Sequence, residues 1–163
     1  MREATFRPPS LLVDPLALGA VLLMVVNDRW LKPVLHDALT GKLSDLALCA
    51  FLPAFFAELA LLAAPRISPR AALVGGALAA AALFAGLELV PPLADGACAA
   101  LAIVGPRLGL DGPFVMTRDP TDLWALPVIL LAVLHGGLDL LLQRRGHAGI
   151  VEQQRGLEIE AEA

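Results

Sequence analysis

The chain has 163 residues, of which 58% are apolar and only 17% are charged, and its formal net charge at pH 7 is −4. Soluble domains carry about 25% charged residues, so this composition excludes an ordinary soluble fold and favours a bilayer as the solvent. The acidic balance and the scattered Lys and Arg residues exclude nucleic acid as an expected partner. Long Ala/Leu stretches with many glycines indicate an all-α, polytopic membrane bundle.

At three positions a capping residue directly before proline indicates the start of a helix. These are Asp14-Pro15, Ser68-Pro69 and Asp119-Pro120, and proline suits the first helical position because its missing N–H has no partner there. With a fourth start near Ser44 or Asp45, they predict four transmembrane helices, each near the ~20 residues needed to cross hydrocarbon. The predicted helices cover residues 15–31, 45–64, 69–90 and 120–142.

Two of the predicted loops contain apolar stretches of their own. In the first loop, apolar residues from Trp30 to Leu39 recur at helical spacing and Gly41 follows as a stop, which predicts a short interfacial helix. In the third loop, residues 93–104 are apolar but too few to span alone. They are expected to form a re-entrant segment, an interfacial segment or a kinked continuation of the third helix. Residues 1–142 are thus predicted to form a single membrane domain, and residues 143–163 a polar, largely disordered tail.

Four crossings place both termini on one side of the membrane. Seven Lys and Arg residues lie in the tails and the second loop, against five in the first and third loops. The positive-inside rule then predicts cytoplasmic termini, with the chain in a bacterial inner membrane.

An ionisable residue recurs at one distance in two matching stretches. Glu58 lies thirteen residues after the aspartate of SDL (residues 44–46), and His135 lies thirteen after that of TDL (residues 121–123). At ~1.5 Å per residue the two side chains lie at the same depth, where an unpaired charge is costly. We therefore expect Glu58 and His135 to pair, either in a proton-relay type of site that includes Asp139 or as a packing bond between helices.

Charged side chains from the first and third loops, which lie on the same side, form a second candidate site. Asp28 ends the first predicted helix, where the helix dipole disfavours an anion, so Arg118 or Lys42 is expected nearby. The alternative is that these residues only cap helices or tie the loops together. The predicted polar cluster comprises Asp28, Lys32, His36, Lys42, Asp45, Glu88, Arg118, Asp119 and Asp122.

No catalytic or cofactor motif accompanies these residues. Cys49 and Cys98 lie in apolar text without CxxC spacing, so neither a metal nor a cofactor is predicted. Three functions stay open: binding or translocation of a small polar ligand, ion or lipid headgroup at the cluster; a non-catalytic subunit that uses the Gly/Ala-rich third helix to bind a protein partner or a second copy; and, last, a lipid-modifying enzyme with His36 and Asp45 as acid and base.

The stretches NDRWLK (residues 27–32), LTGKLSDL (39–46) and TRDPTDL (117–123) resemble signatures of small bacterial multi-pass membrane proteins of uncharacterised activity. The resemblance implies a polytopic membrane protein and implies no reaction, cofactor or site role.

Overall fold

The chain is described by a computed structural model that covers residues 10–35, 38–110 and 112–162. These residues form helices and connecting turns without a strand, which confirms the predicted all-helical class. The helices are α1 (Pro15–Val26), α2 (Lys32–Leu35), α3 (Ala38–Ala63), α4 (Pro69–Leu89), α5 (Pro91–Val104) and α6 (Leu126–Glu162). A π-helical turn covers Asn27–Leu31, and 3-10 turns cover Leu11–Val13, Gly105–Leu108 and Pro120–Ala125.

All three predicted caps are present. Asp14 and Asp119 each accept a hydrogen bond from the backbone N–H two positions later, at 2.8 Å in both cases. Ser68 accepts one from the backbone N–H three positions later, at 3.2 Å. These three starts are predictable because each cap depends on neighbouring residues alone.

Within the described residues, three helical stretches are long and apolar enough to cross a membrane. They are Leu39–Ala63, Pro69–Leu89 and Pro120–Gln143. The predicted first span is not among the three. Its uncharged part, α1, rises only ~18 Å before Asp28, Arg29 and Lys32 follow, so a fourth crossing stays a prediction.

The interior of the bundle is built from small residues. Helix α3 packs against α1, α4 and α6, and Ala57 and Ala80 are fully buried. Helices α3 and α4 approach closely at Gly76 of α4, where an added Cβ would lie 2.5 Å from the backbone oxygen of Pro53. The small face of the predicted third helix is therefore used inside the chain.

The outer faces of the helices are apolar. Leu78 of α4 is 67% exposed, and Leu130 and Leu134 of α6 are 62% and 60% exposed. Rows of exposed leucines around an Ala-rich interior are typical of helices whose outer surface contacts lipid rather than water.

Two helices begin or end elsewhere than predicted. Helix α3 begins at Ala38, so Gly41 does not stop a helix and Ser44 and Asp45 lie inside α3 instead of capping it. Helix α6 continues to Glu162, whereas residues 143–163 were expected to be largely disordered. Glu, Gln, Arg and Ala make up 13 of these 21 residues, and their helix propensity outweighs three glycines and the lack of an apolar face.

The third loop contains a separate helix. Val90 is extended, with φ −114° and ψ 95°, and ends α4 before α5 begins at Pro91. Leu93 of α5 folds back onto Gly86 of α4. Residues 91–104 thus form a helix that a one-residue break at Val90 separates from α4, and their position relative to the bilayer stays a prediction.

Candidate functional site: a polar pocket at one end of the bundle

A pocket of about 450 Å³ lies at the end of the bundle where α3 begins and α4 ends. We call it the polar pocket. Its charged lining consists of Lys32, Lys42, Asp45, Glu88, Asp119 and Asp122. Its apolar lining includes Leu48, Phe84, Leu87 and Met116. The three sequence stretches that carry the resemblance, NDRWLK, LTGKLSDL and TRDPTDL, all contribute to it.

Buried Asn27 attaches the first stretch to α3. Its side-chain N–H groups donate to the backbone oxygen of Thr40 at 2.6 Å and to the hydroxyl of Ser44 at 2.7 Å. The Ser44 hydroxyl in turn donates to Asp28 at 3.1 Å, and Asp28 forms an ion pair with Lys32 at 2.7 Å. The π-helical turn that starts at Asn27 thus places Lys32 at the pocket. Such turns are frequent at functional sites.

Lys42 attaches α3 to the start of α6. Its ammonium group donates to the Thr121 hydroxyl at 2.7 Å and to the Asp122 carboxylate at 2.8 Å, and the Asp119 carboxylate lies 3.9 Å away. These contacts join the LTGKLSDL and TRDPTDL stretches directly. A cation between two carboxylates is well compensated at this position.

Glu88 attaches the end of α4 to the segment that precedes α6. Its carboxylate accepts a hydrogen bond from the backbone N–H of Asp119 at 3.0 Å. Hydrogen bonds from Thr121 hold the pKa of the Asp119 carboxyl below its ordinary value, so this cap stays ionised. The wall formed by residues 116–119 is thereby fixed at both the α4 and α6 sides.

Asp45 differs from the other acids of the pocket. Its carboxylate neither accepts a hydrogen bond from nor forms an ion pair with any residue in the described part of the chain. It is half-buried and lines both the polar pocket and an adjoining depression of about 140 Å³ beside Trp124. With four carboxylates against two ammonium groups in the lining, the polar pocket carries a surplus of negative charge.

Six of the nine residues of the predicted cluster line the polar pocket, and Asp28 contacts it through Lys32. Arg118 is exposed and lies outside the lining, and His36 lies outside the described residues. The cation beside Asp28 is Lys32, one helical turn later, rather than the expected Arg118 or Lys42. This follows from the helix continuing past Asp28, which puts positions i and i+4 on one face.

Sequence reasoning missed Asn27 and Ser44 as positioning residues. Both lie in the stretches that carry the resemblance. The signal that could have identified Asn27 is a polar amide at the end of an apolar helix. Ser44 belongs to the SDL repeat and donates to Asp28 beside the pocket, and its counterpart in TDL, Thr121, accepts a hydrogen bond from the pocket residue Lys42.

At the opposite end of the bundle, the expected pairing of Glu58 with His135 is not formed. Glu58 accepts a hydrogen bond from the backbone N–H of Leu11, and the His135 Nε2 lies 3.1 Å from the Asp14 carboxylate. The turn at Leu11–Val13 and the cap at Asp14 supply partners that helix spacing does not predict.

Asp139 is not joined to His135 either. It accepts a hydrogen bond from the Gln143 side chain, one turn further along α6. The residues at this end of the bundle therefore form separate pairs rather than one relay.

No group of three or more His, Cys, Asp and Glu side chains in the described part of the chain is arranged to hold a metal ion. The carboxylates of the polar pocket thus act as separate charges around one space. Cys49 and Cys98 are free thiols.

Compared with protein-family models, curated proteins and solved structures, the chain matches none of them. Its function is inferred from the geometry of the polar pocket.

Proposed function

We propose that the chain is a small membrane protein whose polar pocket binds a ligand that carries a positively charged amine. The observation that carries this proposal is the Asp45 carboxylate, which lines the pocket without a hydrogen bond or ion pair to any described residue, so that only the more distant charges of Lys32 and Lys42 offset it. A half-buried carboxylate beside apolar side chains is costly to leave without a direct partner.

The chemistry of the lining selects the ligand. An ammonium group offers three N–H donors and a full positive charge, which match the Asp45 carboxylate and the negative surplus of the pocket. Phe84, Leu48 and Leu87 form an apolar wall on which the carbon part of the ligand packs. Lys42 is already compensated by Asp122, so an anionic ligand gains less there.

Fluorescence titration tests the proposal directly. The chain has two tryptophans, and Trp124 lines the depression that shares Asp45 with the polar pocket. In a Trp30→Phe background in nanodiscs, ethanolamine is expected to change Trp124 emission in a saturable way, and inorganic phosphate is not.

The matched variants are Asp45→Asn, which removes only the charge, and Asp95→Asn on the exposed side of α5. We expect Asp45→Asn to abolish the ethanolamine response and Asp95→Asn to preserve it. A response to phosphate, or an unchanged ethanolamine response in Asp45→Asn, contradicts the proposal.

We further propose that the stretch from Pro15 to Leu31 forms a fourth crossing in a bacterial inner membrane, with both termini cytoplasmic. Leu18, Leu22 and Val25 of α1 form an exposed apolar stripe at i, i+4 and i+7, which suits contact with lipid. Reporters fused to the two termini distinguish the alternatives: four crossings place them on one side of the membrane, and three place them on opposite sides.

The alternative of a non-catalytic subunit is less well supported. It relied on the small residues of the predicted third helix as an outer contact surface, and Ala72, Gly76 and Ala80 pack inward against α3 instead. A stoichiometric protein partner recovered in native lipid favours that alternative.

A further inference from the structure

An apolar groove on the outside of the bundle adjoins the polar pocket. The groove has a volume of about 330 Å³ and runs between α1, α3 and α6, with Gly19, Leu23, Leu43 and Val128 in its lining. At one end it shares Leu46 with the depression beside Trp124. That depression shares Lys42, Asp45 and Asp122 with the polar pocket, so the charged and apolar spaces adjoin one another through common lining side chains.

The groove is long enough to hold a large part of one acyl chain. Its lining on α3 extends from Leu43 to Ala50, a rise of ~10 Å. This is about two thirds of the ~15 Å depth of the hydrocarbon in one leaflet.

Exposed tryptophans place the polar pocket at the level of lipid headgroups. Trp30 is 61% exposed and Trp124 is 82% exposed. Trp30 stands two residues before the pocket residue Lys32, and Trp124 lines the depression that contains Asp45. Tryptophan is enriched where the hydrocarbon meets the headgroup layer. The groove therefore extends from this layer into the hydrocarbon.

We propose that one aminophospholipid binds here, with its headgroup in the polar pocket and one acyl chain in the groove. This inference rests on the proposed function and narrows the amine-bearing ligand to a membrane lipid. The headgroup of phosphatidylethanolamine is complementary to the site, because its ammonium group matches Asp45 and its zwitterionic headgroup adds no net charge to an acidic pocket. Phosphatidylglycerol lacks the ammonium group and adds negative charge to an already acidic pocket.

Two glycines allow the groove to be blocked with a matched control. A Cβ added at Gly19, in the groove, or at Gly75, on the exposed side of α4, would meet no atom within 4 Å. Gly19→Leu therefore fills the groove, and Gly75→Leu adds the same side chain to a helix surface away from it. Both changes replace a helical glycine with leucine and so raise helix propensity alike. A difference in lipid retention between them therefore reports on the groove.

The experiment measures lipids retained by the full chain after transfer from vesicles of equal phosphatidylethanolamine and phosphatidylglycerol into mild detergent, by native mass spectrometry. We expect wild type and Gly75→Leu to retain one phosphatidylethanolamine per chain. In Gly19→Leu and Asp45→Asn, this occupancy is expected to be about tenfold lower. Retention of phosphatidylglycerol in equal amount, or unchanged retention by Gly19→Leu, overturns the inference.

The ethanolamine titration separates the two proposals. If Gly19→Leu and wild type both bind free ethanolamine but neither retains lipid, the pocket proposal stands and the lipid inference fails. If neither ethanolamine nor phosphatidylethanolamine binds, both fail.

A second measurement does not depend on how a variant folds. Phosphatidylethanolamine with a photoreactive acyl chain is expected to label Leu23 and Leu43 in the groove of the wild-type protein more than Leu78 on the outside of α4. Equal labelling of groove and outer surface contradicts the inference.

Discussion

The ammonium group of Lys42 lies 2.8 Å from the carboxylate of Asp122, although 80 residues separate them in the sequence. The contact joins the first turns of α3 to the turn that precedes α6, and both residues line the polar pocket. Because α3 and α6 both begin at this end of the bundle, the two SDL/TDL stretches meet at one site. The shape of the pocket therefore depends on this contact.

The first prediction concerns Lys42 and Asp122. Lys42→Met and Asp122→Asn are each expected to lower the Tm in nanodiscs by several degrees, because each leaves the other charge without its main partner. The double variant is expected to have a Tm no lower than that of the less stable single variant. Arg118→Met, at an exposed position outside the pocket, is the control and should leave the Tm unchanged. Losses that simply add in the double variant would show that the two side chains act independently.

The second prediction concerns the contact between α3 and α4. Gly76→Ala is expected to reduce the free energy of unfolding by about 1–3 kcal/mol, because the new methyl group meets the backbone of Pro53 and Ala57 and the helices must separate. Gly75→Ala, one residue earlier, meets no atom within 4 Å and is expected to be neutral or stabilising by up to about 1 kcal/mol. Thermal unfolding of the two variants in the same detergent measures the difference. Equal effects would mean that α3 and α4 are not in close contact at Gly76.

Features that depend on neighbouring residues were predictable from the sequence, and features that depend on the rotation of one helix against another were not. The caps at Asp14, Ser68 and Asp119 are local and were predicted correctly. Six of the nine residues of the predicted polar cluster line one pocket, because they come from loops on the same side of the bundle. Periodicity gives the depth of a side chain along its helix and leaves open which neighbour it faces.

Glu58 and His135 illustrate this limit. The thirteen-residue spacing assigned them one depth, but each found a partner in the turn before α1, at Leu11 and Asp14. The apolar pattern of α3 and α6 does not indicate where that turn packs. Asp45 lies inside α3 for a related reason. Gly41 indicated a helix stop before it, but packing of α1 and α6 against the first turns of α3 outweighs the modest cost of a glycine inside a helix.

The third prediction separates the two roles of Asp14, whose carboxylate both caps α1 and contacts His135. Asp14→Asn retains a capping oxygen and is expected to cost less stability than Asp14→Ala, which loses the cap at about 1 kcal/mol as well as the histidine contact. His135→Ala in the Asp14→Ala background should add little further loss, because the contact is already absent. Chemical unfolding in detergent measures all of them. If Asp14→Asn and Asp14→Ala are equally unstable, the cap contributes nothing.

The fourth prediction concerns Asn27, which is fully buried and donates to both the Thr40 carbonyl and the Ser44 hydroxyl. Asn27→Ala is expected to cost about 1–3 kcal/mol, because two buried hydrogen bonds between the π-helical turn and α3 are lost. Asn27→Asp keeps the shape but, once ionised, cannot donate and places a buried charge against a carbonyl oxygen and near Asp28. Its instability relative to wild type is therefore expected to grow as pH rises, since burial favours the protonated carboxyl in the folded state. Thermal unfolding between acidic and neutral pH measures the effect, with the pH-independent defect of Asn27→Ala as the control. A defect in Asn27→Asp that does not change with pH would mean that this side chain is not held in a buried, donating position.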